Sequence, residues 1–329
     1  MNRMIRCTVI MKIQYPTGIR RIPFTLKLNM QQRMRANKKR SCSKRQRTVF
    51  RSYHEGGFGK VYKVRHKTWG IDLAVKTPHE NAFATEAQKQ DFIDECRLWI
   101  ELGMHVHIAT CYYVRELGGV PRIFAEYVPG GSLKEWIRSK KLYEGGKESA
   151  LKRILSIAIQ FAWGLHYAHE KGMIHQDVKP QNAMMTENTE VKVVDFGLAS
   201  AAEVKSGPAR GYTPAYCSPE QIGGKPLKRQ TDIWSWGVSV LEMFAGEVTW
   251  QSGAIASYAL ESFLENDNGK SGMPSMPEDV ALLLKHCFAE DEERRPHTMS
   301  EVADRLIEVY QSECKEEYPR VWEEGASGT

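Results

Sequence analysis

The strongest constraint on the fold of this chain is a series of short strings whose order spans most of its length. A strand-like run ends in A-V-K at residues 74–76, and a predicted helix follows it. The strings H-Q-D-V-K-P-Q-N at 175–182, V-D-F-G at 194–197 and S-P-E at 218–220 come later, in that order. One such string would be weak evidence, but several in a fixed order are hard to obtain by chance. The fold must bring lysine, carboxylate and amide side chains together from distant parts of the chain.

These strings resemble the motifs of eukaryotic protein kinases, and the resemblance covers roughly residues 48–312. Transfer of a phosphoryl group from ATP with Mg²⁺ needs a cation on the phosphates, oxygen ligands for the metal and a carboxylate beside the acceptor hydroxyl. The resemblance implies an α+β, bilobal kinase fold with ATP and Mg²⁺ as cofactors. A small β-rich lobe is expected at 48–128 and a larger helical lobe at 129–312, because strand-like patterns give way to helical ones after the hinge.

The catalytic lysine is assigned from the strand that ends at Lys76. Glu95 lies on a predicted helix between Phe92 and Trp99, three and four residues away on the same face. A carboxylate placed among core residues needs a cationic partner. By resemblance to the family that partner is Lys76, which then binds the α- and β-phosphates.

The string at 175–182 carries the residues expected to act on the acceptor and on the metal. By resemblance, Asp177 accepts or orients the proton of the substrate hydroxyl, and Lys179 stabilises the γ-phosphate. Asn182 and Asp195 are the expected Mg²⁺ ligands. Phe196 is expected to pack against the helix that carries the catalytic glutamate.

The nucleotide pocket is expected where a glycine-rich string, the end of a strand and the hinge meet. Glycine lets the backbone approach phosphates closely, although His54 stands where the family has its first glycine. The string at 125–131 resembles the hinge of the family, and its first residue, Ala125, aligns with the gatekeeper position. The residues assigned to this pocket are Gly56, Gly57, Phe58, Gly59, Val61, Ala74, Lys76, Glu126, Val128 and Met184.

Two positions of the string at 175–182 indicate which subclass of protein kinase the chain resembles. Lys179, two residues after Asp177, resembles the serine/threonine type, whose members phosphorylate protein hydroxyls. Gln176 replaces the arginine that pairs with an activation-loop phosphate in most regulated kinases, so the chain resembles the non-RD kinases. The string W-S-W-G at 234–237 is closer to the tyrosine-kinase-like and plant-type groups. The alternatives are a pseudokinase that acts as a binding scaffold and a small-molecule kinase of related fold.

Several residues are predicted to support the site without reacting. By resemblance to the family, Glu220 is expected to pair with Arg295, and Asp232 is expected to anchor the backbone of the catalytic loop, residues 175–182. Ser132 with Glu135, and Thr298 with Glu301, have the spacing of helix capping boxes. The segment 233–244 is apolar nearly all round, which predicts a helix buried on every side.

The net charge of +6 is distributed unevenly. Residues 1–50 hold fourteen Lys or Arg and no acid, whereas the remainder carries 32 basic and 40 acidic residues. Residues 1–47 are predicted to be a basic extension, with a hairpin from runs at 7–15 and 19–28 and a disordered linker at 31–47. Its partners would be an acidic protein, nucleic acid or anionic lipid. Residues 313–329 are predicted to form a C-terminal tail. No apolar run approaches a membrane span, and an intracellular location is expected: cytoplasmic, nuclear or, with an organellar targeting signal, inside an organelle.

Overall fold

A computed structural model of the chain describes residues 52–56, 59–79, 83, 85–196, 200–201, 213–266, 268–269 and 272–319. The chain divides into the units Met1–Val49 and Phe50–Thr329, and every described residue belongs to the second unit. The predicted basic extension, with its hairpin and linker, lies outside the described residues.

In its described residues, the amino-terminal lobe is a five-stranded antiparallel sheet with one helix. Its strands are β1 (Ser52–Gly56), β2 (Gly59–His66), β3 (Ile71–Pro78), β4 (Cys111–Leu117) and β5 (Val120–Glu126), in the spatial order β1-β2-β3-β5-β4. A Cβ atom on Gly59 would lie 2.2 Å from the carbonyl oxygen of Thr77. This contact on β3 explains why glycine begins β2.

Helix α1 (Glu86–Leu102) begins where the Thr85 side chain accepts a hydrogen bond from Gln88 N–H, and it ends at Gly103, whose φ is +73°. Its Trp99 is 5% exposed and donates from Nε1 to the carbonyl of Ala109 at 2.9 Å. The helix is therefore fixed to the segment that leads into β4.

The carboxy-terminal lobe is mainly helical. Its helices are α2 (Leu133–Arg138), α3 (Gly146–Glu170), α4 (Pro219–Ile222), α5 (Arg229–Ala245), α6 (Ala256–Asn266), α7 (Glu278–Cys287) and α8 (Met299–Cys314). Two small antiparallel pairs complete it, β6 (Met173–Ile174) with β9 (Ser200–Ala201) and β7 (Ala183–Met185) with β8 (Val191–Val193). Every residue of α5 from Gln230 to Phe244 is buried, which confirms the prediction of a fully enclosed helix.

Of the two predicted capping boxes, the first forms both of its hydrogen bonds and the second forms only one. Ser132 and Glu135 form both hydrogen bonds of a capping box at α2. At α8 the Thr298 side chain accepts from Glu301 N–H, but the Glu301 carboxylate accepts from His297 N–H, one residue before the cap. An additional capping box, not predicted, begins α4 at Ser218.

The carboxy-terminal lobe continues beyond residue 312. Helix α8 runs to Cys314, and Lys315 ends it in the left-handed conformation. Tyr318 is 8% exposed and meets the ring of Tyr310 edge-on, with centroids 5.1 Å apart. Cys314 and Tyr318 thus pack with the helical lobe, although the sequence assigned them to a tail. No helix in the described part of the chain is long and apolar enough to cross a membrane.

Candidate active site

Asp232 on α5 holds the catalytic loop through its backbone. This carboxylate is fully buried and accepts hydrogen bonds from His175 N–H at 2.7 Å and Gln176 N–H at 2.8 Å. His169 on α3 supplies a third bond, from Nε2 at 2.7 Å. Burial opposes ionisation of Asp232, but the hydrogen bonds that it accepts from His169 and from His175 N–H outweigh it, so the pKa of Asp232 is lowered. The predicted anchor is confirmed; the part played by His169 was not predicted.

Asp177 stands at the centre of a compact polar cluster. Lys179 Nζ donates to Asp177 Oδ2 and to Thr213 Oγ1, both at 2.6 Å, and the Thr213 hydroxyl lies 3.3 Å from Asp177 Oδ1. Asn182 Nδ2 donates to the backbone carbonyl of Asp177 at 2.8 Å and to its Oδ2 at 3.0 Å. The cluster fixes the orientation of one carboxylate with a cation, an amide and a hydroxyl.

Lys76 and Asp195 are brought together across 119 residues of sequence. Lys76 Nζ donates to Asp195 Oδ1 at 2.5 Å. Burial opposes ionisation of Asp195, but the Lys76 charge and hydrogen bond outweigh it and lower the pKa of Asp195. Asp195 also has a φ of +66°, a region that residues other than glycine rarely occupy. Glu95 lies on α1, but its side chain is outside the described residues, so its predicted pair with Lys76 stays a prediction.

Phe196 connects the catalytic loop to α1. Its side chain is fully buried, with its ring centroid 4.6 Å from that of His175 and 5.9 Å from that of Trp99. The prediction that Phe196 packs against the helix carrying Glu95 is therefore confirmed.

The strand residues assigned to the nucleotide pocket share one face of the sheet. Val61 on β2 is paired with Lys76 on β3, and Ala74 is paired with Ala125 on β5. Opposed residues project to the same side of a sheet, as do residues two apart on one strand. The small side chains of Ala74 and Ala125 therefore lie side by side, adjacent to Lys76.

The remaining pocket residues belong to the hinge, β7 and the glycine-rich string. The Glu126 carboxylate accepts from Lys192 and from Thr110 N–H, at 3.0 and 3.1 Å. Val128 is 4% exposed, and Met184 on β7 is partly buried. Gly56 ends β1. Gly57 and Phe58 lie outside the described residues.

A buried cluster that the sequence did not reveal lies beside the catalytic loop. Glu242 on α5 is fully buried; its Oε2 accepts from the Tyr216 hydroxyl at 2.5 Å, and its Oε1 accepts from Lys134 Nζ on α2. The signal for it was a single acidic residue inside a helix predicted to be buried all round. Because a buried carboxylate requires a cation, Glu242 in such a helix implies a lysine or arginine partner.

The fold and these contacts define a protein kinase, and the chain belongs to the protein kinase domain family, whose profile matches residues 49–307. Its relatives are serine/threonine kinases in the main. It is 30% identical over 276 residues to a probable serine/threonine-protein kinase of Clostridium acetobutylicum, a match that covers 81% of this chain and 40% of that protein.

Two further relatives come from other lineages. Serine/threonine-protein kinase A of a Synechocystis species is 30% identical over 284 residues, which cover 79% of this chain and 52% of that protein. Serine/threonine/tyrosine-protein kinase HT1 of Arabidopsis thaliana is 26% identical over 270 residues, which cover 81% of this chain and 67% of that protein. The chain thus spans about half or less of the two bacterial relatives. The comparisons give the pseudokinase alternative no support, and the subgroup stays a prediction.

Proposed function

We propose that this chain transfers the γ-phosphoryl group of ATP to serine or threonine hydroxyls of a protein substrate. The observation that carries the proposal is the cluster of Asp177, Lys179, Asn182 and Thr213, which orients one carboxylate with hydrogen bonds of 2.6 to 3.3 Å. The names of the bacterial relatives support the serine/threonine class.

In this proposal Asp177 orients the acceptor hydroxyl and takes up its proton. Lys179 contributes a positive charge beside the transferred group, where negative charge accumulates in the transition state. Thr213 belongs to the activation segment, residues 195–220, and ties it to both residues, so that the acceptor is admitted only when this contact is in place. Asp232 holds the backbone of the catalytic loop in place by accepting hydrogen bonds from two of its N–H groups.

The donor set of the site fits Mg²⁺ and a nucleotide. Mg²⁺ prefers carboxylate and other oxygen ligands, and Asp195 offers a carboxylate whose lowered pKa keeps it ionised. Asn182 uses its amide nitrogen on Asp177, which leaves its carbonyl oxygen for a metal. Bound with ATP, Mg²⁺ neutralises charge on the phosphates. Lys76 would bind those phosphates, and Glu95 would orient Lys76.

The adenine site in this proposal is lined by Val61, Ala74 and Met184. The backbone of Glu126 and Val128 would meet the polar edge of the base, and the Glu126 carboxylate, engaged by Lys192 and Thr110, would not compete for it. The backbone of the glycine-rich turn, Gly56 to Gly59, would cover the phosphates.

We also propose that the basic extension, residues 1–47, directs the kinase to an acidic protein, nucleic acid or anionic lipid inside the cell. Fourteen basic residues without an acid among residues 1–50 support this. Deleting residues 1–45 should leave peptide phosphorylation intact and weaken binding to these partners. A large loss of peptide phosphorylation would show that the extension is part of the catalytic domain.

The test of the catalytic proposal is phosphoryl transfer by the purified chain. Wild-type protein, incubated with γ-labelled ATP, Mg²⁺ and a generic protein substrate, should yield phosphoserine or phosphothreonine on acid hydrolysis. Asp195→Ala should lose this activity, and Asp304→Ala, which replaces an exposed aspartate on α8, should keep it. Absence of labelled protein, label confined to tyrosine, or equal activity of Asp195→Ala would contradict the proposal.

A further inference from the structure

The buried Glu242 carboxylate is already neutralised from within the protein. Lys134 on α2 and Tyr216 each donate to one of its oxygens, and the carboxylate has no exposed surface. A basic side chain of a substrate therefore cannot reach it. What the surface presents instead is Lys134, whose side chain is 23% exposed.

Two more cations lie next to Lys134. Arg138 is four residues further along α2, which places it on the same face of the helix, and it is exposed. Lys140 is exposed, and a Cβ atom on Gly246 would lie 3.3 Å from its Nζ. Gly246 is one helical turn beyond Glu242, so Lys134 and Lys140 lie along the same end of α5. We call Lys134, Arg138 and Lys140 the cation cluster.

The three members of the cation cluster differ in how their charge is balanced. Lys134 is paired with Glu242. The nearby Glu135 carboxylate keeps its charge, but the capping box orients it towards Ser132 N–H, from which it accepts at 2.7 Å. Within the described residues neither Arg138 nor Lys140 forms an ion pair, so this face keeps positive charge for a ligand.

A short chain of contacts connects the cluster to the site of phosphoryl transfer. The Tyr216 hydroxyl contacts Glu242, and Tyr216 N–H donates to the carbonyl of Thr213 at 3.0 Å. The Thr213 hydroxyl in turn lies 3.3 Å from Asp177. These contacts place Lys134 and Asp177 in one connected part of the helical lobe, and a peptide series with charges at different positions, about 3.3 Å apart per extended residue, measures the reach to the cation cluster.

We infer that the cation cluster selects protein substrates that carry acidic side chains near the acceptor in sequence. The inference rests on the proposed kinase function and names the substrate class of the same site. Acidic residues gain from Arg138 and Lys140, whereas basic residues meet like charge and find Glu242 already occupied.

The test compares serine peptides of one sequence that differ only in a block of Glu, Ala or Lys placed before or after the acceptor. For the wild type, kcat/KM should be about tenfold higher for one of the Glu peptides than for the Ala peptide, a factor equivalent to about 1.4 kcal/mol. The Lys peptides should be the poorest. Higher salt should reduce the preference because these charges are exposed.

The decisive variant is Arg138→Glu combined with Lys140→Gln; Lys140 has a φ of +65°, and glutamine tolerates that conformation as lysine does. Its ratio of Glu-peptide to Ala-peptide kcat/KM should fall to one or below. The matched control is Lys285→Glu with Lys315→Gln, which changes an exposed last-turn cation of α7 and an exposed lysine with φ +57°. This control should keep the wild-type ratio.

Binding provides a second measurement that does not require turnover. Fluorescein-labelled peptides with Ala in place of the acceptor Ser should bind the wild type more tightly when they carry Glu, and the decisive variant should lose that difference. No Glu preference in either measurement, or a preference that the decisive variant retains, overturns the inference. Glu-selective binding without phosphorylation of any peptide would instead overturn the proposed function.

Discussion

Glu220 and Arg295 form a two-pronged ion pair inside the helical lobe, 75 residues apart in sequence. Arg295 Nη1 and Nη2 donate to the two carboxylate oxygens at 2.7 and 3.0 Å, and both residues are 2% exposed. Thr231 adds a hydroxyl donor to the same carboxylate at 2.9 Å. The pair was predicted from the sequence. Because it is buried, it stabilises the folded lobe and does not take part in the reaction.

Glu220→Ala should lower the free energy of unfolding by about 3 to 5 kcal/mol, because it leaves the Arg295 charge buried without a partner. The exposed pair of Glu301 and Arg305, 2.7 Å apart on α8, provides the control, and Arg305→Ala should cost less than about 1 kcal/mol. Urea unfolding followed by fluorescence measures both. Equal losses for the two variants would contradict this role of Glu220.

Two histidines before β4 should make stability depend on pH. Burial lowers the pKa of His105 to about 4 and that of His107 to about 4, against about 6.5 in an unfolded chain. The unfolded state therefore binds more protons between these values, so stability is full above about pH 6.5 and falls as the pH drops towards 4.

His107→Asn should flatten this dependence by up to about 1.4 kcal/mol per pH unit between pH 6.5 and 4.5, since one protonation step is removed. The measurement is urea unfolding at half-unit intervals from pH 8.5 to 4.5. Above pH 7.5 the variant and wild-type curves should run parallel. An unchanged slope below pH 6.5 would show that His107 is protonated in the folded state.

Ala125 should leave room behind the adenine. It is 6% exposed and paired with Ala74 on one side and Cys111 on the other, so three small side chains lie in a row across β3, β5 and β4. ATP-competitive compounds with a large aryl group should inhibit the wild type. Ala125→Phe should abolish that inhibition by steric exclusion and keep the KM for ATP within a few-fold. Equal potency against both forms would show that the gatekeeper lies elsewhere.

Activity should not require phosphorylation of the activation loop. Gln176 stands where an arginine would grip the phosphate; its backbone N–H donates to Asp232 and its carbonyl accepts from Gln221 at 2.7 Å. The catalytic loop is thus held through its backbone at Gln176. The neutral Gln176 side chain cannot bind a phosphate as strongly as the guanidinium of an arginine would. Phosphatase-treated kinase should show an initial rate close to that of untreated kinase. A many-fold drop, restored by preincubation with MgATP, would show that another basic residue binds the phosphate.

Contacts that follow from a fixed motif were predictable from the sequence. The Asp232 anchor, the Glu220–Arg295 pair and the position of Phe196 were each predicted from motifs that resemble those of protein kinases. The enclosed helix α5 was predictable because its apolar residues leave no polar face.

Contacts between distant residues without a motif were not predictable. Lys134 and Glu242 are 108 residues apart, and neither position shows its partner by spacing. The return of Tyr318 to Tyr310 was missed because a single aromatic residue in a charged segment shows no periodicity. His169 was overlooked because it lies near the end of a long helix, where a lone histidine has many ordinary explanations.

The central claim is that Asp177 performs the chemistry, and the most direct test is the turnover of Asp177→Asn. This variant keeps the size of the side chain and removes its ability to accept a proton. We predict that kcat falls by about 10² to 10⁴, the usual contribution of a positioned base, while the affinity for Mg²⁺-bound nucleotide changes less than threefold. Asp304→Asn, on the exposed face of α8, should match the wild type. Near-normal kcat in Asp177→Asn would contradict the assignment of the active site.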